Sequence, residues 1–448
     1  MIQKTTARET QAPIKIGILL LNYNGLRYLP MFFEHAGFLQ KNPEAELILI
    51  DNASVDESIN WMQTHAPWVK VIRNSENFGF SEGYNQGILK LKDLGCDYTH
   101  YMFLNNDVIV SQAWLNTMIG AIKLSEPDVV EFGCRSVFMA PYIRETLLTC
   151  ESKKFASLRC DITSHPASSE RYLHRRSRTL EVASKIMPGL PPSLDLTQIG
   201  DTAEFSAYYS IELSTKSFSP LLFKLADGLA WNCGNLDDIV TDLVVWKSAQ
   251  TKIREPLAIA PGQLIKLRRL LTKAELASLP PLIQNSGIGL TKSLEGFDLH
   301  CFSAIDTPQD VGAARGICGV CKAIRSDVFD DLGGFDNNIF MYYEDLDLSL
   351  RLQEKGYKSR MVEEAILIHD HSGSSNNHSA FFKRQVVWSL FYFHWRHGSL
   401  VRRLITWLRY KVLAHGERNS YVNPLRRHHE LAFSKFKSIT SSSYLLGG

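Results

Sequence analysis

Short apolar runs recur through residues 14–133, and each stops on polar side chains. IKIGILLLNYN ends at Asn22, ELILIDNAS at Asp51 and Asn52, VKVIRNSEN at Asn74 to Asn77, and YTHYMFLNND at Asn105-Asn106-Asp107. Such runs read as buried strands. Between them lie stretches of helical spacing: Leu29–Gln40, SVDESINWMQTH with Ser54 or Asp56 as its N-cap, and SEGYNQGILKLKDLG. The β-α-β-α-β-α-β alternation predicts an α/β fold, a mostly parallel, Rossmann-like sheet flanked by helices. Open sheets of this kind bind ligands outside the carboxyl ends of their strands. Four polar strand ends therefore meet at one edge, where amides and carboxylates are costly to bury without partners.

The rhythm breaks over residues 134–310. A polar, basic stretch (SHPASSERYLHRRSRTLE), a loop (PGLPPSLD) and a strand-like alternation (DTAEFSAYYSIEL) precede LIKLRRLLTKAELASLPPLIQ, which reads as helices interrupted by Pro280-Pro281. This part is expected to be an insertion with its own structure. From about residue 311 glycines, aromatics, acids and histidines crowd together. From about Ala380 the chain turns helical and basic.

At 448 residues, 45% hydrophobic and 21% charged, the chain can hold more than one structural unit. The net charge of +2 is unevenly spread. Residues 381–437 carry twelve Lys/Arg against Glu417 and Glu430, which leaves −8 on the remainder. Eight cysteines with one close pair, Cys318-Gly-Val-Cys321, read as small packed residues in a reducing compartment, not as a disulfide framework or zinc site. The apolar stretch Ile14–Leu21 is short and followed by polar residues, so no signal peptide is expected. No run of 18 apolar residues occurs, so a cytoplasmic location with at most peripheral membrane contact is expected. The absence of GxGxxG and GxxxxGK[ST] disfavours dinucleotide and P-loop chemistry. Gly79, Gly83 and Gly87, at spacing four, serve either close helix packing or ligand contact.

YYEDLDLSLRLQEKG reads as a helix that opens near Glu344 and ends before Gly356. At about 100° per residue, Asp347, Arg351 and Glu354 share a face, and Asp347 with Arg351 reads as a solvated i,i+4 pair. Glu344 and Asp345 lie in the first turn, where the helix dipole favours anions. After GGFDNNIFMYY they form an aromatic-rich corner suited to a polar ligand. His369 ends the apolar run AILI, with His371 close by, as either a surface histidine or a metal ligand.

LLNYNG, LIDNASVDES, NSENFGFSEGYNQG, FLNND, GVCKAIRSDVFDDLGGFD, FMYYEDLDLSLRL and HDHSGSS stand in the order found in family 2 glycosyltransferases of the GT-A fold. The set most resembles rhamnosyltransferase-like and galactofuranosyltransferase-like members, over residues 14–133 and 311–400. The resemblance implies a nucleotide-sugar-binding half at 12–133 and an acceptor-binding, catalytic half at 311–379. They are separated by the 134–310 insertion and followed by a basic helical segment at 380–448. It also implies inverting transfer of a sugar from a nucleoside diphosphate donor, of UDP or dTDP type, to a hydroxyl of a glycan or lipid-linked acceptor, in bacterial surface polysaccharide synthesis.

Residue roles follow from the same resemblance. Asn105-Asn106-Asp107 occupies the DxD position, where the family holds a divalent cation, Mg²⁺ or Mn²⁺. Asp107 is the only carboxylate left there, Asn105 and Asn106 join the donor site, and His369 is implied as the second metal ligand. Asn22 and Asp51 correspond to contacts with base and ribose, and Asn77 and Gly79 to the nucleotide pocket. Asp345 corresponds to the catalytic base, with Glu344, Gly319 and Tyr343 on the acceptor side. Asn105 in place of an acid leaves a second reading open, a catalytically weak homologue that binds sugar nucleotide or glycan as an assembly component. The segment VVWSLFYFHWRHGSLVRRLITWLRYKVL interleaves aromatics with arginine. It either lies on an anionic membrane surface near a lipid-linked acceptor or packs on the catalytic domain with a solvated basic face. No recognised nucleic-acid module accompanies the charge, so no nucleic-acid partner is expected.

Overall fold

A computed structural model describes residues 13–139, 280–306, 308, 311–370 and 380–406, together with nine strands and residue 260 between 142 and 272. The four apolar runs form β1 (Ile16–Asn22), β2 (Ala45–Asp51), β3 (Lys70–Arg73) and β4 (His100–Leu104). They pair in parallel in the order β3-β2-β1-β4. Their connections are α1 (Leu29–Ala36), α2 (Ser58–His65) and α3 (Ser81–Asp93). Both faces are covered. Ile18, Leu20, Leu47 and Leu49 enter one core cluster, and Leu19, Ile48 and Ile50 enter another. That double burial is why these strands read as continuous apolar runs. Helix α2 starts later than either expected cap, at Ser58, whose N–H donates to Asp56 Oδ1 (3.1 Å). A Cβ on Gly87 would lie 2.5 Å from Ile50 and one on Gly83 2.8 Å from Asn52, so these glycines permit close packing of α3.

β5 (Val108–Ile109), α4 (Gln112–Leu124) and β6 (Val129–Phe138) follow. Then come β7 to β15: Tyr142–Cys150, Leu158–Ser164, Arg171–Arg176, Thr179–Lys185, Glu204–Leu213, Leu221–Leu225, Ala230–Asn235, Leu257–Ile259 and Gln263–Thr272. They make two antiparallel sheets, β14-β12-β7-β10-β9 and β13-β15-β11-β8. The strand-like alternation at DTAEFSAYYSIEL is β11. The helix expected at LIKLRRLL is absent, because β15 is paired with β11 on one edge and β13 on the other. Ladder pairing on both sides overrides the helical preference of Leu, Lys and Arg.

The chain leaves the main sheet after Phe138 and returns at Leu282. The two ends are pinned by Phe138 N–H donating to the Leu282 carbonyl (3.0 Å) and by Phe138 stacking on Phe302 at 4.7 Å. β16 (Ile283–Asn285) then pairs with the end of β6, and β17 (Ile288–Leu290) and β18 (Gly296–Asp298) form a hairpin. Residues counted with the insertion from the sequence thus extend the main sheet.

β19 (Cys321–Arg325), α5 (Ser326–Asp331), α6 (Glu344–Glu354), β20 (Lys358–His369) and α7 (Ala380–His397) complete the described elements. The sheet continues β4-β19-β6-β20-β5. β20 is parallel to β6, but β19 runs antiparallel to both neighbours, so this half is mixed instead of mostly parallel. β19 arrives from a long excursion and not through a βαβ crossover, which removes the constraint to parallel pairing. Cys321 is buried and Cys318 half-buried, both as free thiols, and burial pushes the Cys318 thiol up.

The Asp347–Arg351 pair is buried, not solvated. Asp347 accepts from Arg351 Nε (2.8 Å) and His397 Nε2 (2.8 Å), and Arg396 Nε lies 3.1 Å away, which fastens α7 onto α6. Phe393 packs against Leu346 and Leu350 in the same contact. The basic segment therefore begins as a packed helix, while Leu400, Val401 and Leu404 beyond it stand exposed. No helix among the described residues is long and apolar enough to cross a membrane. His371 lies outside the described residues.

Candidate functional site

The carboxyl ends of β1, β2 and β4 are tied together by side chains. Asn106 Nδ2 donates to Asn22 Oδ1 (3.1 Å), and Asn22 Nδ2 donates to Ser54 Oγ (3.0 Å). Asp51 is fully buried, accepts from the Ser54 N–H (3.3 Å) and lies 3.5 Å from Arg73 Nε. Asn77 Oδ1 accepts from the Gly79 N–H (3.0 Å) and from Asn52 Nδ2 (3.1 Å). Gly79 has φ +76° and sits against Phe340, whose carbonyl accepts the Phe80 N–H (2.7 Å). The structure thus gathers Asn22, Asp51, Asn77, Gly79 and Asn106 along one edge. In it, their polar atoms brace the loops around that edge. A network satisfied in this way is rigid. Asn52 and Ser54, which the sequence reading named only as a strand end and a helix cap, are members of it.

Asp107 and His369 meet directly. Pairing of His369 with Val108 and of Ile368 with Ile109 brings β20 alongside β5, and the Asp370 N–H donates to the Asp107 carbonyl (2.9 Å). His369 Nε2 lies 3.2 Å from Asp107 Oδ1, with both side chains buried. Asn105 Nδ2 stands 3.5 Å from the same ring nitrogen. Two ligands on one octahedral cation with bonds of about 2.1 Å are separated by about 3 Å. The pair therefore matches the spacing of a shared ion, and the oxygen and imidazole donors suit Mg²⁺ or Mn²⁺. No group of three His, Cys, Asp or Glu side chains placed to hold a metal ion exists among the described residues, so phosphate oxygens and water would complete the shell.

The acidic corner is built on a strained turn. Tyr342 (φ +70°) and Tyr343 (φ +71°) are consecutive left-handed residues leading into α6, each costing about 1–2 kcal/mol. Tyr343 Oη accepts from the Gly296 N–H (3.4 Å). Asp345 Oδ2 accepts from the Gly319 N–H (2.8 Å) and Oδ1 from the Leu346 N–H (2.7 Å), so the carboxylate is aimed by two backbone donors. Glu344 is buried and its Oε2 has no hydrogen-bond partner among the described residues. Burial, and then the charge of Asp345, pushes Glu344 up to about 8. Burial also raises Asp345, against the pull of Lys322 and the two N–H donors.

Beneath this corner lies an ion pair that the sequence reading did not single out. Lys322 and Glu131 are fully buried and 2.7 Å apart. Lys322 Nζ also donates to the Asp345 carbonyl (2.7 Å) and Ser349 Oγ (3.0 Å). Also unanticipated is Asp298, an exposed residue on β18. It accepts from Asn285 Nδ2 (2.5 Å) within electrostatic reach of both Asp345 and His369. It links the acidic corner to the Asp107–His369 pair.

Glu344 gives the stability a pH dependence. Unfolded, it ionises near 4.5, and folded, near 8. A raised folded value contributes stability that is complete below the unfolded pKa and is lost as pH rises through the folded one. Glu344→Gln is therefore expected to gain in melting temperature relative to wild type as pH rises from about 5 to about 9. Paired thermal melts check this, and a difference that does not change with pH contradicts it.

Residues 18–176 match the family model for Glycosyl transferase family 2, and residues 268–437 match that for Glycosyl transferase family group 2. A curated relative, the N-acetylglucosaminyl-diphospho-decaprenol L-rhamnosyltransferase of Mycobacterium tuberculosis, is 38% identical over 64 residues, 14% of this chain. The match spans about a fifth of that relative's length (21%). Among solved structures, the mannosyltransferase PcManGT from Pyrobaculum calidifontis, in complex with GDP-Man and Mn²⁺, is 10% identical with a TM-score of 0.39, over 96% of this chain and 83% of that one. GalNAc-T7 with UDP, GalNAc and Mn²⁺ is 13% identical with a TM-score of 0.39, over 80% and 44%. The identification rests on the two family models, which take in both the Asn105–Asp107 edge and the Asp345–His369 segment: the chain belongs to the family 2 glycosyltransferases.

Proposed function

We propose that the protein is an inverting, divalent-metal-dependent glycosyltransferase. It moves a sugar from a nucleoside diphosphate donor, of UDP or dTDP type, to a hydroxyl of a glycan or lipid-linked acceptor in surface polysaccharide synthesis. The observation that carries the reading is the 3.2 Å approach of Asp107 to His369 at the ligand-binding edge of the sheet. When bound there, Mg²⁺ or Mn²⁺ would neutralise charge on the departing diphosphate.

The chain's own residues supply the rest. Asp345, held by the Gly319 and Leu346 amides, takes the proton of the acceptor hydroxyl as its oxygen attacks the anomeric carbon. The C–O bond to the nucleoside diphosphate breaks on the opposite face, which inverts the configuration. Glu344, protonated at neutral pH, keeps a second negative charge away from Asp345. The exposed Leu400, Val401 and Leu404, interrupted by Arg402 and Arg403, support peripheral contact with an anionic lipid surface.

The test is calorimetric titration of Mn²⁺ into the protein with UDP or dTDP present, followed by donor turnover on a panel of nucleotide sugars. Asp107→Asn and His369→Ala are expected to weaken Mn²⁺ binding at least tenfold with the fold retained; wild-type protein that binds no divalent ion with either nucleotide overturns the reading. Asn105 favours the second reading of a weak homologue, since it adds no charge beside His369. Nucleotide binding without hydrolysis or transfer on any donor would select it.

A further inference from the structure

The proposed metal pair is braced from outside by a residue that belongs to neither sequence motif. Gln284 lies on β16, between Ile283, which pairs with Val137, and Asn285, which pairs with Ser136. On the other side of β6, His369 pairs with Phe138. Across that strand the Gln284 carboxamide oxygen stands 2.6 Å from His369 Nδ1, and the same oxygen accepts from Ser136 Oγ at 3.0 Å. All three side chains are buried: Gln284 is 4% exposed, Ser136 3% and His369 5%.

A carboxamide oxygen only accepts. The ring nitrogen facing it at hydrogen-bond distance must therefore carry a proton. In a neutral imidazole that leaves Nε2 with a bare lone pair, and Nε2 is the nitrogen turned toward Asp107. We infer that Gln284 is a positioning residue that fixes the tautomer and ring orientation of His369 so that Nε2 is presented as a metal ligand. The inference rests on the proposed reading of Asp107 and His369 as the metal pair. Bracing of this kind typically contributes 10–100-fold to metal affinity.

The adjacent side chains fit the same role for the whole segment. Asn285 Nδ2 anchors Asp298, and Ser286 Oγ lies 2.6 Å from His300 Nδ1. The three consecutive residues that follow the inserted sheets thus each fix a titratable side chain, and Gln284 is the one aimed at the metal pair.

Two measurements test the inference. In the metal-free protein at a pH where the ring is neutral, ¹⁵N NMR of the imidazole is expected to show the His369 proton on Nδ1. A proton on Nε2 overturns the inference. In Mn²⁺ titrations followed by EPR at saturating UDP, Gln284→Leu is expected to weaken binding about 10–100-fold, and Gln284→Glu, which keeps an acceptor, to stay within a few-fold of wild type. Ser136→Ala, which removes only the second hydrogen bond on that oxygen, guards against a Gln284→Leu that fails to fold, and is expected to lose several-fold. Unchanged Mn²⁺ affinity in Gln284→Leu, with His369→Ala still losing it, overturns the role of Gln284 while the metal reading stands. Wild-type protein that binds no Mn²⁺ removes the metal reading itself, and the inference with it.

Discussion

Asp345→Asn is expected to lower the turnover number for sugar transfer by about 10²–10⁴-fold, the usual contribution of a general base, while nucleotide affinity stays within a few-fold of wild type. The amide is nearly the same size as the carboxylate and keeps one oxygen, so one of the Gly319 and Leu346 N–H groups, which reach different carboxylate oxygens, still has its acceptor. What it lacks is a site for the acceptor proton. Asp345 is not one of the proposed metal ligands, so nucleotide and metal binding should survive. The measurement pairs initial rates on a competent donor and acceptor with calorimetric binding of nucleotide plus Mn²⁺. Near wild-type turnover in Asp345→Asn would move the base to another carboxylate near it. Asp298 would then be the first to substitute, since it is exposed while Glu344 is buried with its pKa pushed up to about 8.

Lys322→Met is expected to destabilise the protein by about 3–5 kcal/mol, because it leaves Glu131 as an unpaired charge in the interior. The pair is fully buried, and Glu131 already accepts from Ser349 Oγ (2.9 Å) and Ser359 Oγ (2.6 Å), so it has no route to water. The ammonium also holds the Asp345 carbonyl, so its loss should loosen the first turn of α6. Replacing both partners, Lys322→Met with Glu131→Leu, is expected to recover most of the loss, since an apolar pair needs no counter-charge. Urea unfolding of the three variants checks this. A double variant no more stable than Lys322→Met would mean that the hydroxyls and the carbonyl, not the lone carboxylate, set the cost.

The first half of the fold was legible because its strands are buried on both faces, which writes them as unbroken apolar runs ending in Asn or Asp. The same logic concealed the ion pair. Lys322 and Glu131 are single charges inside the apolar stretches VCKAI and VVEFG, and opposite charges so placed are the signal that they meet. β15 was misread because LIKLRRLL carries helix-forming residues whose strand state is imposed by two neighbours more than 25 residues away in sequence. Asp347 and Arg351 were read correctly as an i,i+4 pair but placed in water, since nothing local says that Arg396 and His397 return from α7 to cover them. Asp107, His369, Asp345 and Gly319 were singled out through motif order, and the structure sets Asp107 beside His369 and the Gly319 N–H on Asp345. Gln284, Asn285 and Asp298 were not, because they follow an insertion and act on side chains distant in the chain.

The Phe138–Leu282 hydrogen bond and the Phe138–Phe302 stack form a neck at which the polypeptide departs and comes back. For a tether anchored at both ends, doubling its length costs only about 0.6 kcal/mol. Everything threaded beyond the neck is therefore free to lengthen, shorten or be exchanged for another module while the stations at 107, 284 and 369 keep their spacing. Variation among related chains should accumulate outside this gateway and stop at it.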